Sequence, residues 1–307
     1  MSDEIFPIVV TARWAQFIAL FMLFGQFLYP FYTVGGVRPP RSERLASSTR
    51  KTVATAGWVQ ALSILAWVMA SVANMGDGWG SLVDPEFLKA FFFETGFGHL
   101  WLARLLMTAM LLGLVVGMRK RLAAADASTA VALFLVGALL ASQAGVGHPA
   151  AFPEGERPLV IIGYGLHILG AAAWIGGFWP LRALLAEMTI DNRIRPYLQF
   201  VLRRYAIMAS IAVVLVLLGA AINIRPQVGL IDPGSISAWG WAVGLKFILF
   251  GALIAIAYRN RFVLTPLLVT RPADASKNLL RNIVMDQGLA LAVLAVASVM
   301  GIVSPSG

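Results

Sequence analysis

Residues 158–182 read PLVIIGYGLHILGAAAWIGGFWPLR, and this stretch decides the fold class. Between Arg157 and Arg182 it carries no acid, lysine or arginine, only His167. It exceeds the roughly 20 apolar residues needed to cross the hydrocarbon of a bilayer. Similar runs recur along the 307-residue chain, which is 59% hydrophobic and only 13% charged, with mean hydropathy +0.79. Soluble domains carry roughly 25% charged residues. The chain therefore reads as all-α, a polytopic membrane protein forming one membrane domain over residues 1–307.

Apolar length and flanking charge place eight spans near 7–32, 52–75, 97–118, 128–147, 158–182, 199–223, 238–258 and 280–303. The start, MSDEIFPIVVTARW, lacks the basic segment and small-residue cleavage site of a signal peptide, so the first span is expected to be retained. Loop charge alternates. The loop after the first span holds Arg38, Arg41, Arg44, Arg50 and Lys51. The next holds Asp77, Asp84, Glu86 and Glu94 against Lys89. MRKRL follows the third span, HPAAFPEGERP the fourth, and arginines and lysine return after the fifth and seventh. The positive-inside rule then puts the loops that follow odd-numbered spans in the cytoplasm and both termini in the periplasm of a bacterial inner membrane. The net charge of +9 is spent in these loops and does not indicate nucleic acid. There is no cysteine, which excludes disulfides and thiolate ligation.

The two halves, 1–150 and 151–307, carry a faint repeat. ASQAGVGHP (141–149) ends the fourth span and ASVMGIVSP (297–305) ends the eighth. GHLWLARLL and WAVGLKFIL each place one cation in the third and seventh spans. Aligning the first span with the fifth sets Gly25 over Gly176 and Gln16 over His167, and the fourth with the eighth sets His148 over Ser304. Such matches suit a parallel duplication of four helices about an axis along the membrane normal, and equally a chance likeness among apolar helices.

Ionisable groups at bilayer depth are paired, face a cavity, or work. Arg104, His167, Lys246 and Asp286 stand at such depth. Lys246 and Asp286 sit on adjacent spans with backbones roughly 10 Å apart in depth. They are expected either to pair, with each other or through Arg104, and so fix helix register, or to form a proton or cation relay.

The three histidines all fall toward the outer side. His99 opens the third span, His148 closes the fourth, and His167 lies roughly 13 Å into the fifth. Neutral imidazole is the commonest side-chain ligand for transition metals, and thioethers select Cu(I). Met75, Met107 and Met300 lie in the same outer halves. A metal site of His148, His167, His99 and Met300 is therefore available without cysteine, against plain interfacial or packing roles for His99 and the methionines. Ala173, Gly176 and Gly177 read as a close-packing face that sets the direction of His167.

GHPAA, HILGAAAWIGGFWPL, GLKFILFGALIAIAYRNRFVLTP and LLRNIVMDQGLALAVLAVASVMGIVSP resemble, in order and spacing, the CopD family of bacterial copper-resistance inner-membrane proteins. The likeness is clearest from about residue 95 onward, and Asn260–Pro266 is its most specific element. It implies copper transport from periplasm to cytoplasm and copper as the ion handled. It also implies a small periplasmic copper-binding protein of the CopC family as partner, here expected not to be fused. His148 and His167 match the family's histidine motifs. Pro149 stands where a small residue is expected and Asp286 where glutamate is usual; His99 matches nothing. A more distant likeness to small haem-binding protoporphyrinogen oxidases keeps open a second class, a membrane redox protein with haem b on the same histidines. No Walker A or phosphorylated-aspartate motif is present, so the expectation is a permease, driven passively or by a gradient, and not an enzyme.

Overall fold

A computed structural model describes residues 3–37, 41–117, 124–146, 155–228 and 238–302. Helices α1 (Ile5–Tyr32) and α2 (Glu43–Met75) form the first hairpin, and a short α3 (Pro85–Glu94) leads into α4 (Gly96–Gly117). The 15-residue α5 (Ala127–Ala141) is lengthened by a 3-10 turn, Ser142–Val146. Helix α6 (Arg157–Gly176) passes through Gly177 into α7 (Phe178–Met188), and α8 (Arg195–Val228) returns. Helix α9 (Ala238–Arg259) continues through a π turn, Asn260–Leu264, into α10 (Thr265–Thr270), and α11 (Pro272–Met300) closes the bundle. Eight of these helical runs are long and apolar enough to cross a membrane, and no strand occurs among the described residues.

The eight spans fall where hydropathy puts them, but several run further. Helix α2 starts at Glu43 and α11 at Pro272, while α7 and α10 carry the fifth and seventh spans to Met188 and Thr270. All these extensions project from one face of the bundle, the one that holds Arg44, Arg50, Arg203, Arg261, Arg271 and Arg281. Hydropathy measures only the hydrocarbon thickness. Backbone bonding continues past it wherever a cap or a long basic side chain can reach water, as where the Ser42 hydroxyl accepts the Leu45 N–H at 3.2 Å.

Lipid tails are as apolar as leucine, so helices in a membrane associate through close backbone approach and hydrogen bonds. Outward-facing Leu62, Leu106, Phe134, Ile211 and Ile248 are all more than half exposed, while the inner faces use glycine. Gly25 of α1 lies directly on Gly176 of α6. Gly163 and Gly170 of α6 and Gly219 of α8 let those two helices touch along their length. Gly176 packs closely, as the sequence suggests, but against α1; the glycine that lies against His167 is Gly219 of α8. The hydroxyl of Tyr205 donates to the Trp174 carbonyl at 2.8 Å, and Trp14 Nε1 donates to the Leu291 carbonyl at 3.0 Å. Helix α1 sits at the centre, with Leu20, Leu23 and Phe27 wholly buried.

Candidate functional site: a cavity beside His167

A cavity of about 310 Å³ lies between α1, α6, α8, α9 and α11. Its walls are mostly apolar, from Phe17 and Phe21 of α1, Trp174 of α6 and Phe250 of α9. The polar groups are few: Arg13, Gln143, Tyr164, His167, Asn223 and Lys246, with Met300 and Gly301 at the end of α11. Val160 and Ile175 both line it, so it extends roughly 20 Å along α6. Met300, Trp239 and Asn223 lie at helix ends on the face opposite the arginine-rich one, so the cavity starts there and reaches toward the middle of the bundle.

His167 is aimed by the α6–α8 contact. A Cβ at Gly219 would lie 2.8 Å from the His167 Cβ, so only glycine lets α8 come this close. At that separation His167 Nδ1 is 2.9 Å from the Val216 carbonyl. A carbonyl only accepts, so Nδ1 holds the proton, and in the neutral ring Nε2 carries the free lone pair. A carbonyl that takes the proton of one ring nitrogen in this way fixes the ring and leaves the other nitrogen able to ligate a metal.

Beside the cavity lies a polar cluster in which Arg104, Gln16 and Gln143 are buried and Ser142 is partly so. The Arg104 guanidinium donates to the Ser142 hydroxyl at 2.7 Å and to Gln16 Oε1 at 2.8 Å, and Gln143 Nε2 donates to the same Gln16 oxygen at 2.6 Å. Arg104 lies over the Trp67 and Trp101 rings, and Arg13 also lies over Trp67, with its Cζ 4.8 Å from the ring centroid.

The expected ion pairs do not form. Asp286 is buried, with Oδ2 3.5 Å from Asn260 Nδ2 and Oδ1 without a partner. Asn260 in turn accepts from Asn282 Nδ2 at 2.7 Å. Among the described residues the ion pairs are Arg50–Glu43 and Arg193–Asp191, both at the surface. Lys246 points instead into the cavity, and Arg104 is held by neutral acceptors and tryptophan. Lys246 lines the cavity and Asp286 does not, so the packing of the helices, which sequence spacing leaves open, keeps the two from pairing.

Of the candidate ligands, His167 and Met300 line the cavity together. His99 does not: it is exposed at the start of α4, with Nε2 3.1 Å from the Phe93 carbonyl, held by the α3–α4 corner. His148 lies outside the described residues. Met75 is half exposed at the end of α2. No group of three or more His, Cys, Asp or Glu converges among the described residues. The residue that sequence reasoning misses is Arg13, buried to 4% exposure in α1. Near the start of a first span an arginine reads as interfacial; its spacing of one turn before Gln16 is the one available signal.

Residues 1–159 match a family model described as copper resistance protein D-like, N-terminal domain, and residues 199–300 match one described as copper resistance protein D. The chain is 27% identical to Copper resistance protein D of Pseudomonas syringae pv. tomato over 97% of each chain. It is 27% identical to Inner membrane protein YebZ of Escherichia coli (strain K12) over 84% of each. It is also 29% identical to Copper transport protein CutJ of Bacillus subtilis (strain 168), over 59% of this chain and 33% of that one. No solved structure matches the chain.

Proposed function

The chain belongs to the copper resistance protein D family, and from that premise we propose that it carries copper across the bacterial inner membrane, from periplasm to cytoplasm, by way of the cavity beside His167. The observation that carries this reading is the free Nε2 of His167, its ring fixed by the Val216 carbonyl, in the same cavity as the Met300 thioether. An imidazole and a thioether with no carboxylate suit a soft, low-coordinate ion, which favours Cu(I). The positive-inside rule turns the arginine-rich face to the cytoplasm, so the cavity faces the periplasm. His148 follows closely in sequence after Val146, at the end of the turn that supplies Gln143 to the cavity, and is the second histidine of this reading. His99, exposed and bonded elsewhere, takes no part.

Copper is then held first near Met300 and deeper at His167, and leaves toward the buried, half-satisfied carboxylate of Asp286 near the basic face. The donor in this reading is a small periplasmic copper-binding protein of the CopC family. Transport in this reading is passive or coupled to a gradient, since the sequence carries no nucleotide-hydrolysis motif.

The test is elemental analysis of purified, copper-loaded and washed protein, wild type beside His167→Ala. Stoichiometric copper lost in the variant supports the site. Iron at one per chain, with copper washed away, overturns it in favour of a haem protein with His167 as an axial-ligand candidate. In cells, His148→Ala and His167→Ala each abolish copper-dependent uptake; unchanged uptake in both removes these residues from the route.

A further inference from the structure

The cavity has the wrong charge for a bare cation. Two of its lining groups, Arg13 and Lys246, are cations, and no aspartate or glutamate lines it among the described residues. A copper ion approaching Nε2 of His167 meets two like charges across apolar walls, where screening by water is weak. Arg104 differs, because both its terminal nitrogens donate, to Ser142 and to Gln16, and it lies outside the lining, although its Nε too lacks a partner. Arg13 donates no hydrogen bond to any described residue, its buried Nε lacks a partner, and only 4% of it is exposed. Its guanidinium lies over the rings of Trp67 and Phe17, which stabilise a cation but fill none of its five N–H donors. The C-terminal end of α11 at Gly301 abuts it and offers only the partial negative charge of a helix terminus. A buried arginine of this kind, edging a cavity that a second cation shares, is short of an anion.

We propose that the cavity binds a small monovalent anion of the halide class at Arg13, with Lys246 as the second cation, and that copper enters as an anion-bearing complex. The walls favour this class: they are apolar, which suits a weakly hydrated anion, and Arg13 stacks on rings without a preset fork partner. Chloride is the natural member, since it ligates Cu(I) and lowers the net charge of the ion that reaches His167. The first half of the proposal stands on Arg13 and the cavity alone; the second rests on the copper reading above.

The experiment separates the two. Thermal unfolding of purified full-length protein in detergent is followed in sodium chloride against sodium gluconate at constant ionic strength, without copper. Wild type is stabilised saturably by chloride over gluconate. In Arg13→Gln the apparent chloride affinity falls by roughly ten- to a hundredfold, the worth of a charged hydrogen bond, and Lys246→Met weakens it as well. Arg203→Gln, exposed on the opposite face, leaves it unchanged. Lys246→Met also decides the matter if Arg13→Gln fails to fold. An identical, non-saturating response to both salts in wild type overturns the anion site, as does full chloride saturation in both cavity variants. Cu(I), supplied as its acetonitrile complex, is then retained by wild type in chloride and not in gluconate. Equal retention in both salts overturns the anion-bearing cargo and leaves the copper reading standing. Saturable chloride binding with no copper retained in either salt upholds the anion site and overturns the copper reading.

Discussion

Gly219→Ala tests whether the α6–α8 contact aims His167. An alanine Cβ there would meet the Gly163 carbonyl, the His167 backbone nitrogen, and the His167 Cβ at 2.8 Å. All three positions are fixed by the backbone, so no rotamer change can move them. The helices must separate, at the cost of roughly 1–3 kcal/mol that overpacking brings. Separation also breaks the 2.9 Å bond from His167 Nδ1 to Val216, worth about 1 kcal/mol. Alanine recovers about 0.8–1 kcal/mol over glycine in helix propensity, leaving a net loss of about 1–3 kcal/mol. Gly251→Ala is the matched control, because a Cβ there meets nothing within 4 Å and only the propensity gain remains. Denaturing-detergent titration in mixed micelles measures both. With its ring released, the Gly219 variant also retains less copper at equal loading. A Gly219→Ala protein as stable as Gly251→Ala, with copper retention intact, would refute the close crossing and with it the aiming of His167.

Gln16→Leu strands the Arg104 and Gln143 groups that share its oxygen and costs roughly 2–4 kcal/mol. Arg104→Met, which removes a buried charge yet keeps the Gln143–Gln16 bond, stays within about 1 kcal/mol of wild type; the same titration ranks the two, and the reverse order contradicts the cluster. Asp286→Asn deletes a buried charge whose Oδ1 has no partner, so stability holds or rises by about 1 kcal/mol. In the copper reading it slows uptake while equilibrium copper retention is unchanged, which uptake and elemental assays separate. Tyr205→Phe removes the 2.8 Å bond to the Trp174 carbonyl and loses about 1 kcal/mol in unfolding titrations.

What the sequence makes legible follows from which forces act in one dimension. Span number rests on apolar length against bilayer thickness, and all eight spans stand. Span ends rest on caps and solvated arginines, so α2 and α11 begin earlier than hydropathy places them. Helix α3 is too short to span and lies in an acidic connection, although Asp84 and Pro85 form a readable N-terminal signal, with Asp84 Oδ1 accepting from Glu86 and Phe87 N–H. His167 could be singled out because an imidazole within so apolar a run is unusual. Arg13 could not, since its importance lies in what it fails to touch. That Lys246 and Asp286 do not pair follows from how the helices pack, which spacing alone does not set.

Helix α9 forms one wall of the cavity yet is the least enclosed span, with only 6% of its apolar window buried, and it rests chiefly on α11. Trp241, Phe247 and Ile248 on it are more than half exposed. In a bilayer, acyl chains therefore press on this wall from behind, and the partition between site and membrane is one helix thick. Membrane thickness and lateral pressure become inputs to the site's shape. The same protein is expected to behave differently in a thin micelle and in a native bilayer, without any change in the residues that meet the cargo.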